Sequence, residues 1–231
     1  MLAASSTLAE PRARAMNCDR VACLYRWLEY AVFGRTLERA RTALLSEVSG
    51  ARRALTLGDG DGRALAKLAA ASPEACIDYV DASAKMLELA RNRVRDPRVT
   101  FRQADARQSQ YPQANYDLIV THFFFDCFDE LDLPVVIANA AHAATSQAWW
   151  IVSEFRPVTS AARLLIAIMY AFFGAATSLR TRGLVDHHPV LERHGFRLQR
   201  ARHFWAGMVA SELWVRTPHD GYSESSLGDF R

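Results

Sequence analysis

The sequence predicts a doubly wound α/β domain whose sheet has seven strands, mostly parallel, with an antiparallel hairpin at the carboxyl end and a helical cap at the amino end. Three observations carry this. Short apolar runs alternate with stretches of helical periodicity through the first two thirds of the chain, the order that a parallel sheet with crossover helices requires. A glycine-rich string, Leu57-Gly58-Asp59-Gly60-Asp61-Gly62-Arg63, separates the first such run from the first such helix. Two extended runs, 196–203 and 208–215, end the pattern, and Phe204-Trp205-Ala206-Gly207 between them is too short for a parallel crossover, which takes about a dozen residues.

Each element follows from local pattern. Half of the 231 residues are apolar and 23% are charged, the balance of one soluble globular domain with a full core. Residues 1–16 contain Glu10 and Pro11 in place of an apolar signal core and read as a disordered tail. In 17–50, Val21, Leu24, Leu28 and Val32 recur at helical spacing. The Phe33-Gly34 pair interrupts them, and Leu37, Ala40, Leu44 and Val48 resume the period, so two helices form the cap. The core spans 51–216: strands at 54–57, 77–80, 99–102, 116–121 and 148–153, helices at 64–69, 84–94, 134–144, 160–174 and 190–194, then the hairpin. Residues 217–231 are polar and rich in Ser and Gly, a second disordered tail.

Composition excludes several classes. A net charge of +3, with 28 basic residues spread along the chain, leaves no electrostatic footprint for nucleic acid. Cys18, Cys23, Cys76 and Cys127 make no C-x-x-C pair and no secreted disulfide framework, so a reducing cytoplasm and no structural zinc are expected. The His187-His188 pair before Pro189 reads as a loop without acidic or cysteine partners at ligand spacing, so no metal is expected. Residues 164–179 are uncharged but fall about a turn short of a spanning helix. Flanked by Arg163, Arg180 and Arg182, they suit peripheral membrane contact; a buried or homodimer-facing helix is the competing reading.

The glycine string allows positive φ and lets main-chain N–H groups approach a ligand at a helix amino terminus. A plain tight turn would look the same. Against a dinucleotide fingerprint, the third small position counted from Gly58 falls on Arg63, which disfavours a nucleotide-linked oxidoreductase. Asp59 and Asp61 add carboxylates that would repel a pyrophosphate and welcome a cation. Asp81, nineteen residues past Gly62 and ending Tyr79-Val80-Asp81, can accept both hydroxyl hydrogens of a ribose, or cap the helix beginning near Ser83. Asp105, in Gln103-Ala104-Asp105-Ala106, can accept an exocyclic amine. Together they make a nucleoside-sized constellation at one sheet edge.

On these residues, with Val80-Asp81-Ala82-Ser83, Met86-Leu87, Ala90-Arg91, Ala104-Asp105-Ala106 and Tyr116-Asp117-Leu118-Ile119-Val120, the chain resembles class I S-adenosylmethionine-dependent methyltransferases over about 54–155. The resemblance implies a Rossmann-like sheet and S-adenosyl-L-methionine as cofactor. Gly58, Gly60 and Gly62 would meet its methionine and ribose, Asp81 the ribose hydroxyls, Asp105 the adenine amine, and Ala106 and Met86 the adenine faces, with Ala82 a further cofactor contact. Where the family carries an acid for the methionine ammonium this chain has Thr56, and Asp59 is expected to replace it.

The stretch Thr121-His122-Phe123-Phe124-Phe125-Asp126-Cys127-Phe128 follows the fourth strand, where Thr121 and His122 would face the cofactor. Its rings suggest an apolar acceptor pocket, although core packing explains rings equally well. His122 is the expected general base, with Asp126 orienting it or touching the acceptor. Tyr25 and Tyr30 of the cap, Phe123, Phe125, Glu154 and Tyr170 are the remaining candidate acceptor contacts, Glu154 with the alternative of a surface pair with Arg156. The expected function is methyl transfer by direct displacement to a small hydrophobic or aromatic acceptor. The alternative is a noncatalytic S-adenosylmethionine-binding or partner-stabilising protein on the same fold.

Overall fold

The computed structural model describes residues 33–158 and 184–217. The helix expected at 160–174, the uncharged stretch 164–179, both tails apart from Thr217, and Tyr25, Tyr30 and Tyr170 lie outside the described residues. Two short helical turns precede the sheet, α1 (Thr36–Thr42) and a 3-10 turn (Leu45–Val48), where the spacing predicts one helix. They lead into β1 (Arg53–Leu57), α2 (Arg63–Ala71), β2 (Cys76–Asp81), α3 (Ala84–Arg93), β3 (Val99–Gln103), β4 (Tyr116–His122), a second 3-10 turn (Phe125–Cys127) and α4 (Asp132–Ala143). The chain continues with β5 (Ala144–Phe155), α5 (His188–Arg193), β6 (Phe196–Phe204) and β7 (Val209–Arg216).

These strands form one seven-stranded sheet in the order β3-β2-β1-β4-β5-β7-β6. The pairs from β3 to β5 are parallel, and β7 runs antiparallel to both β5 and β6. The expected fold class is the observed one. Strand alternation divides the core into two layers. Leu118, Val120, Ile151 and Leu213 pack under α2, α3 and the 3-10 turn, while Ile119, Trp150, Val152 and Trp214 pack under α4 and α5. A third cluster, Phe33, Leu37, Ala40, Phe123, Phe155, Met208 and Val209, pins α1 to the carboxyl edge of the sheet and to the hairpin.

Three boundaries differ from the sequence reading. α4 starts at Asp132, before Pro134, because its first turn needs no N–H from Pro134, and Asp129 Oδ1 accepts the Leu131 and Asp132 amides at 3.0 and 2.9 Å. β5 begins at Ala144 directly after α4, its extra residues accommodated by a register shift opposite Tyr116 and Leu118. The His187-His188 pair is not a loop: His188 opens α5, with Pro189 in its first turn. The hairpin closes over Trp205–Met208, with left-handed backbone at Trp205 (φ 47°) and Ala206 (φ 50°) and the Gly207 amide donating to Phe204 O at 3.1 Å.

Candidate functional site

The chain leaves β1 toward β2 and β3 and returns on the other side as β4, so the strand order reverses between β1 and β4. Open α/β sheets bind ligands in the crevice at the carboxyl ends of such a pair. The glycine string lies there, and Gly58, Gly60 and Gly62 have φ of 60°, 71° and 79°, left-handed backbone that favours glycine. Gly58 N–H donates to Val80 O at 2.9 Å, and the Tyr79 hydroxyl donates to Gly60 O at 2.7 Å, holding the loop from below. A Cβ at Gly58 would run into the Phe124 ring, and one at Gly62 would stand 2.9 Å from Ala90 Cα and Cβ of α3. A Cβ at Gly60 would meet nothing within 4 Å. Gly62 therefore serves close helix contact, and Gly60 presents bare backbone to the crevice.

The two acids of the string have separate fates. Arg93 and Arg63 hold Asp61 below the usual carboxylate range against the burial that opposes ionisation, at 2.9 and 3.0 Å. Asp59 is buried, its Oδ2 accepts the Leu65 amide of α2 at 3.2 Å, and its Oδ1 has no partner among the described residues. Burial lifts its carboxyl to about 7, opposed by Arg41. Arg41 is the residue that sequence reasoning missed. It projects from α1, lies buried with its guanidinium 4.9 Å from the Phe123 ring centroid, and acts electrostatically on Asp59, His122 and Asp126. On one helix among many arginines it carries no distinguishing sequence signal.

Asp81 Oδ1 accepts the Ser83 amide at 2.8 Å, and Ser83 is the residue that caps α3, through the Met86 amide. Met86 and Ala82 flank that turn half-buried, and Gln103 donates to Ala82 O at 3.1 Å. Asp105 is engaged by its own loop. Arg107 approaches its two oxygens at 3.0 and 2.6 Å and also reaches Asp132 at 3.1 Å, and this pairing keeps the Asp105 carboxyl below the usual range. Ala106 is buried beside it.

Thr121 is fully buried and accepts the Trp150 indole N–H at 3.0 Å, so its side chain faces the α4 layer. His122 points to the opposite layer, its Nδ1 3.0 Å from Ser153 Oγ and its Nε2 buried without a partner among the described residues. Burial and then Arg41 depress it to about 3, so it is a neutral imidazole. No hydrogen bond joins Asp126 to it. Asp126 lies half-buried in the 3-10 turn after β4, where burial raises its carboxyl to about 7. Glu154 is not paired with Arg156: buried at the end of β5, its Oε1 accepts the Phe124 and Phe125 amides at 2.8 and 2.7 Å. Its Oε2 has no partner among the described residues, and burial, then the neighbouring Asp126, drives its carboxyl well above the usual range.

The phenylalanines divide. Phe123, at φ 52°, packs at a tilt against Phe155, ring centroids 5.0 Å apart. Phe125 packs on Trp150 and His187 at 6.1 and 5.3 Å, inside the core, while half-buried Phe124 covers Gly58. Beyond Phe125, the hairpin supplies what the sequence spacing hid: Glu212 stands 3.0 Å from His187 Nε2 and 3.1 Å from His188 Nε2.

Residues 54–146 match a family model described as a methyltransferase domain. The matched segment contains the glycine string, Asp81, Asp105, Asp126, all of β2, β3 and β4, and β1 except Arg53. No curated protein matches the chain in sequence. Among solved structures, an O-methyltransferase family protein from Burkholderia thailandensis superposes with a TM-score of 0.64 at 15% identity, over 87% of this chain and 61% of its own. This chain thus spans about three fifths of that relative. N-methyltransferase NodS from Bradyrhizobium japonicum, in complex with S-adenosyl-L-homocysteine, gives 0.59 at 16% identity over 80% and 87%. A putative methyltransferase in complex with the Haloferax volcanii Trm112 activator gives 0.66 at 12% over 88% and 99%. At these identities the likeness is one of fold.

Proposed function

We propose that the chain is an S-adenosylmethionine-dependent methyltransferase that acts by direct displacement on a small hydrophobic or aromatic acceptor. The observation that carries this is the set of buried polar atoms left waiting at three adjacent strand ends: Asp59 Oδ1 after β1, His122 Nε2 on β4 and Glu154 Oε2 on β5. Unsatisfied buried groups each cost roughly 1–3 kcal/mol, and their position at the ends of three neighbouring strands, with open space at Gly60 in the same loop as Asp59, suits a polar ligand. The donor set fits an amino acid bearing a sulfonium. Asp59 would take the ammonium in the absence of an acid at Thr56, Arg41 the carboxylate, and Asp81 the ribose hydroxyls. Asp105 would reach an adenine amine only with the acceptor positions that Arg107 leaves.

When bound, the cofactor supplies an activated methyl group, so the protein's share is alignment, water exclusion and removal of one proton from an oxygen or nitrogen acceptor. Asp126, at about 7, is matched to hold that proton near neutrality, whereas His122, at about 3, is too weakly basic to take it. Glu154 keeps the Phe123–Phe125 turn in place through two amides and lies close enough to Asp126 to feel its charge. Phe123 and Phe124 support an apolar acceptor, with Tyr25, Tyr30 and Tyr170 of the remaining chain as further contacts. No helix among the described residues is long and apolar enough to cross a membrane; peripheral contact through 164–179 belongs to the same reading, with liposome flotation as its check. The test of function is incubation of the protein with methyl-labelled cofactor and fractionated cell extract. Label transferred to a small product with stoichiometric S-adenosylhomocysteine supports the reading. Cofactor binding without transfer would favour the noncatalytic alternative.

A further inference from the structure

We propose that His187, His188 and Glu212 form a mononuclear site for a divalent transition metal of the zinc class, on the α5 side of the sheet. Their ligand atoms lie within 4.8 Å of one another. The Nε2 atoms of His187 and His188 stand 3.0 and 3.1 Å from the two oxygens of Glu212. Bonds of about 2.0–2.1 Å to nitrogen and oxygen place tetrahedral ligands about 3.3 Å apart, so each histidine–glutamate pair opens by a few tenths of an ångström while the set, spread over no more than 4.8 Å, closes on the ion. Two imidazoles and one carboxylate select zinc, cobalt, nickel or iron over magnesium and calcium, which prefer oxygen alone.

The surroundings are built as a metal site's are. Glu212 is 3% exposed on the inner face of β7, and the Trp214 indole N–H donates to its Oε2 at 3.1 Å, orienting the carboxylate. His187 is walled by Phe125 and His188 by Trp214, with ring centroids 5.3 and 4.9 Å apart. His188 is partly exposed, which leaves a path for a water as fourth ligand. A carboxylate buried this deeply on a central strand needs a compensating charge, and an ion supplies it without requiring either imidazole to be protonated. The site would clamp the start of α5 to β7, beside the Phe125 turn.

The experiment uses the untagged full chain, stripped with chelator and dialysed against zinc or cobalt. About one equivalent of metal should be retained, cobalt should show the visible absorption of a tetrahedral site, and zinc should raise the unfolding temperature. His188→Ala, at a partly exposed position, should lower metal affinity about a hundredfold or more while keeping the circular dichroism of the fold; Glu212→Gln should abolish retention. Failure of the wild type to retain metal would leave a hydrogen-bonded histidine–glutamate cluster and overturn the proposal. So would equal retention by a folded His188→Ala.

Discussion

Asp59 links the stability of the domain to its affinity for the cofactor, and Asp59→Asn separates the two. Burial, opposed by Arg41, lifts its carboxyl from the ordinary 3.8 to about 7. An acid whose folded-state value lies above its unfolded one binds more protons in the folded chain between those values, so stability falls as pH rises through that window. At about 1.4 kcal/mol per unit, the deficit relative to an uncharged isostere is roughly 1.6 kcal/mol at pH 5 and roughly 4 kcal/mol at pH 8. Asn can still accept the Leu65 amide that Asp59 Oδ2 accepts at 3.2 Å, and any unmet amide donor costs about 1–3 kcal/mol at every pH. Urea unfolding of both proteins at the two pH values should therefore show the variant gaining roughly 2.5 kcal/mol on the wild type between pH 5 and pH 8. Calorimetry with S-adenosylhomocysteine should show wild-type affinity rising up to about tenfold from pH 6 to pH 8, as ionised Asp59 goes from about 10% to about 90%, and a weak, flat response in the variant. A stability gap that stays constant with pH would refute a buried Asp59 that ionises near neutrality.

Asp126→Asn should lower turnover on an oxygen or nitrogen acceptor by about 10²–10⁴-fold and remove a rise in rate centred near pH 7, with cofactor affinity little changed; an unaltered pH–rate profile would exclude Asp126 as the base. Gly62→Ala places a Cβ 2.9 Å from Ala90 at φ 79° and should destabilise the domain by about 2 kcal/mol or more in denaturant melts. Ala206→Gly removes a side chain from φ 50° in the hairpin turn, and the relief, partly offset by the freer unfolded chain, should raise stability by about 0.5 kcal/mol.

What the sequence determined by itself is local. The alternation of apolar runs with helical periods fixes strand and helix order, the glycine string marks the turn after β1, and the four-residue link at 204–207 forces the antiparallel end. These depend on period, φ preference and loop length, which neighbouring residues settle among themselves. Only the tertiary structure decided how the acidic residues are used. Asp59 and Asp61 are two residues apart and look alike, yet one is buried with a bare oxygen and the other is paired with Arg63 and with Arg93, thirty-two residues away. Arg41 reaches the crevice because α1 lies on Phe123 and the hairpin. The strand pleat sends His122 and Glu154 to opposite layers, and the β7 register brings Glu212 to a histidine pair that precedes it by two dozen residues. Charge state, burial and partner at such positions depend on which strands become neighbours, and that is set by how the whole core closes, not by any local stretch of chain.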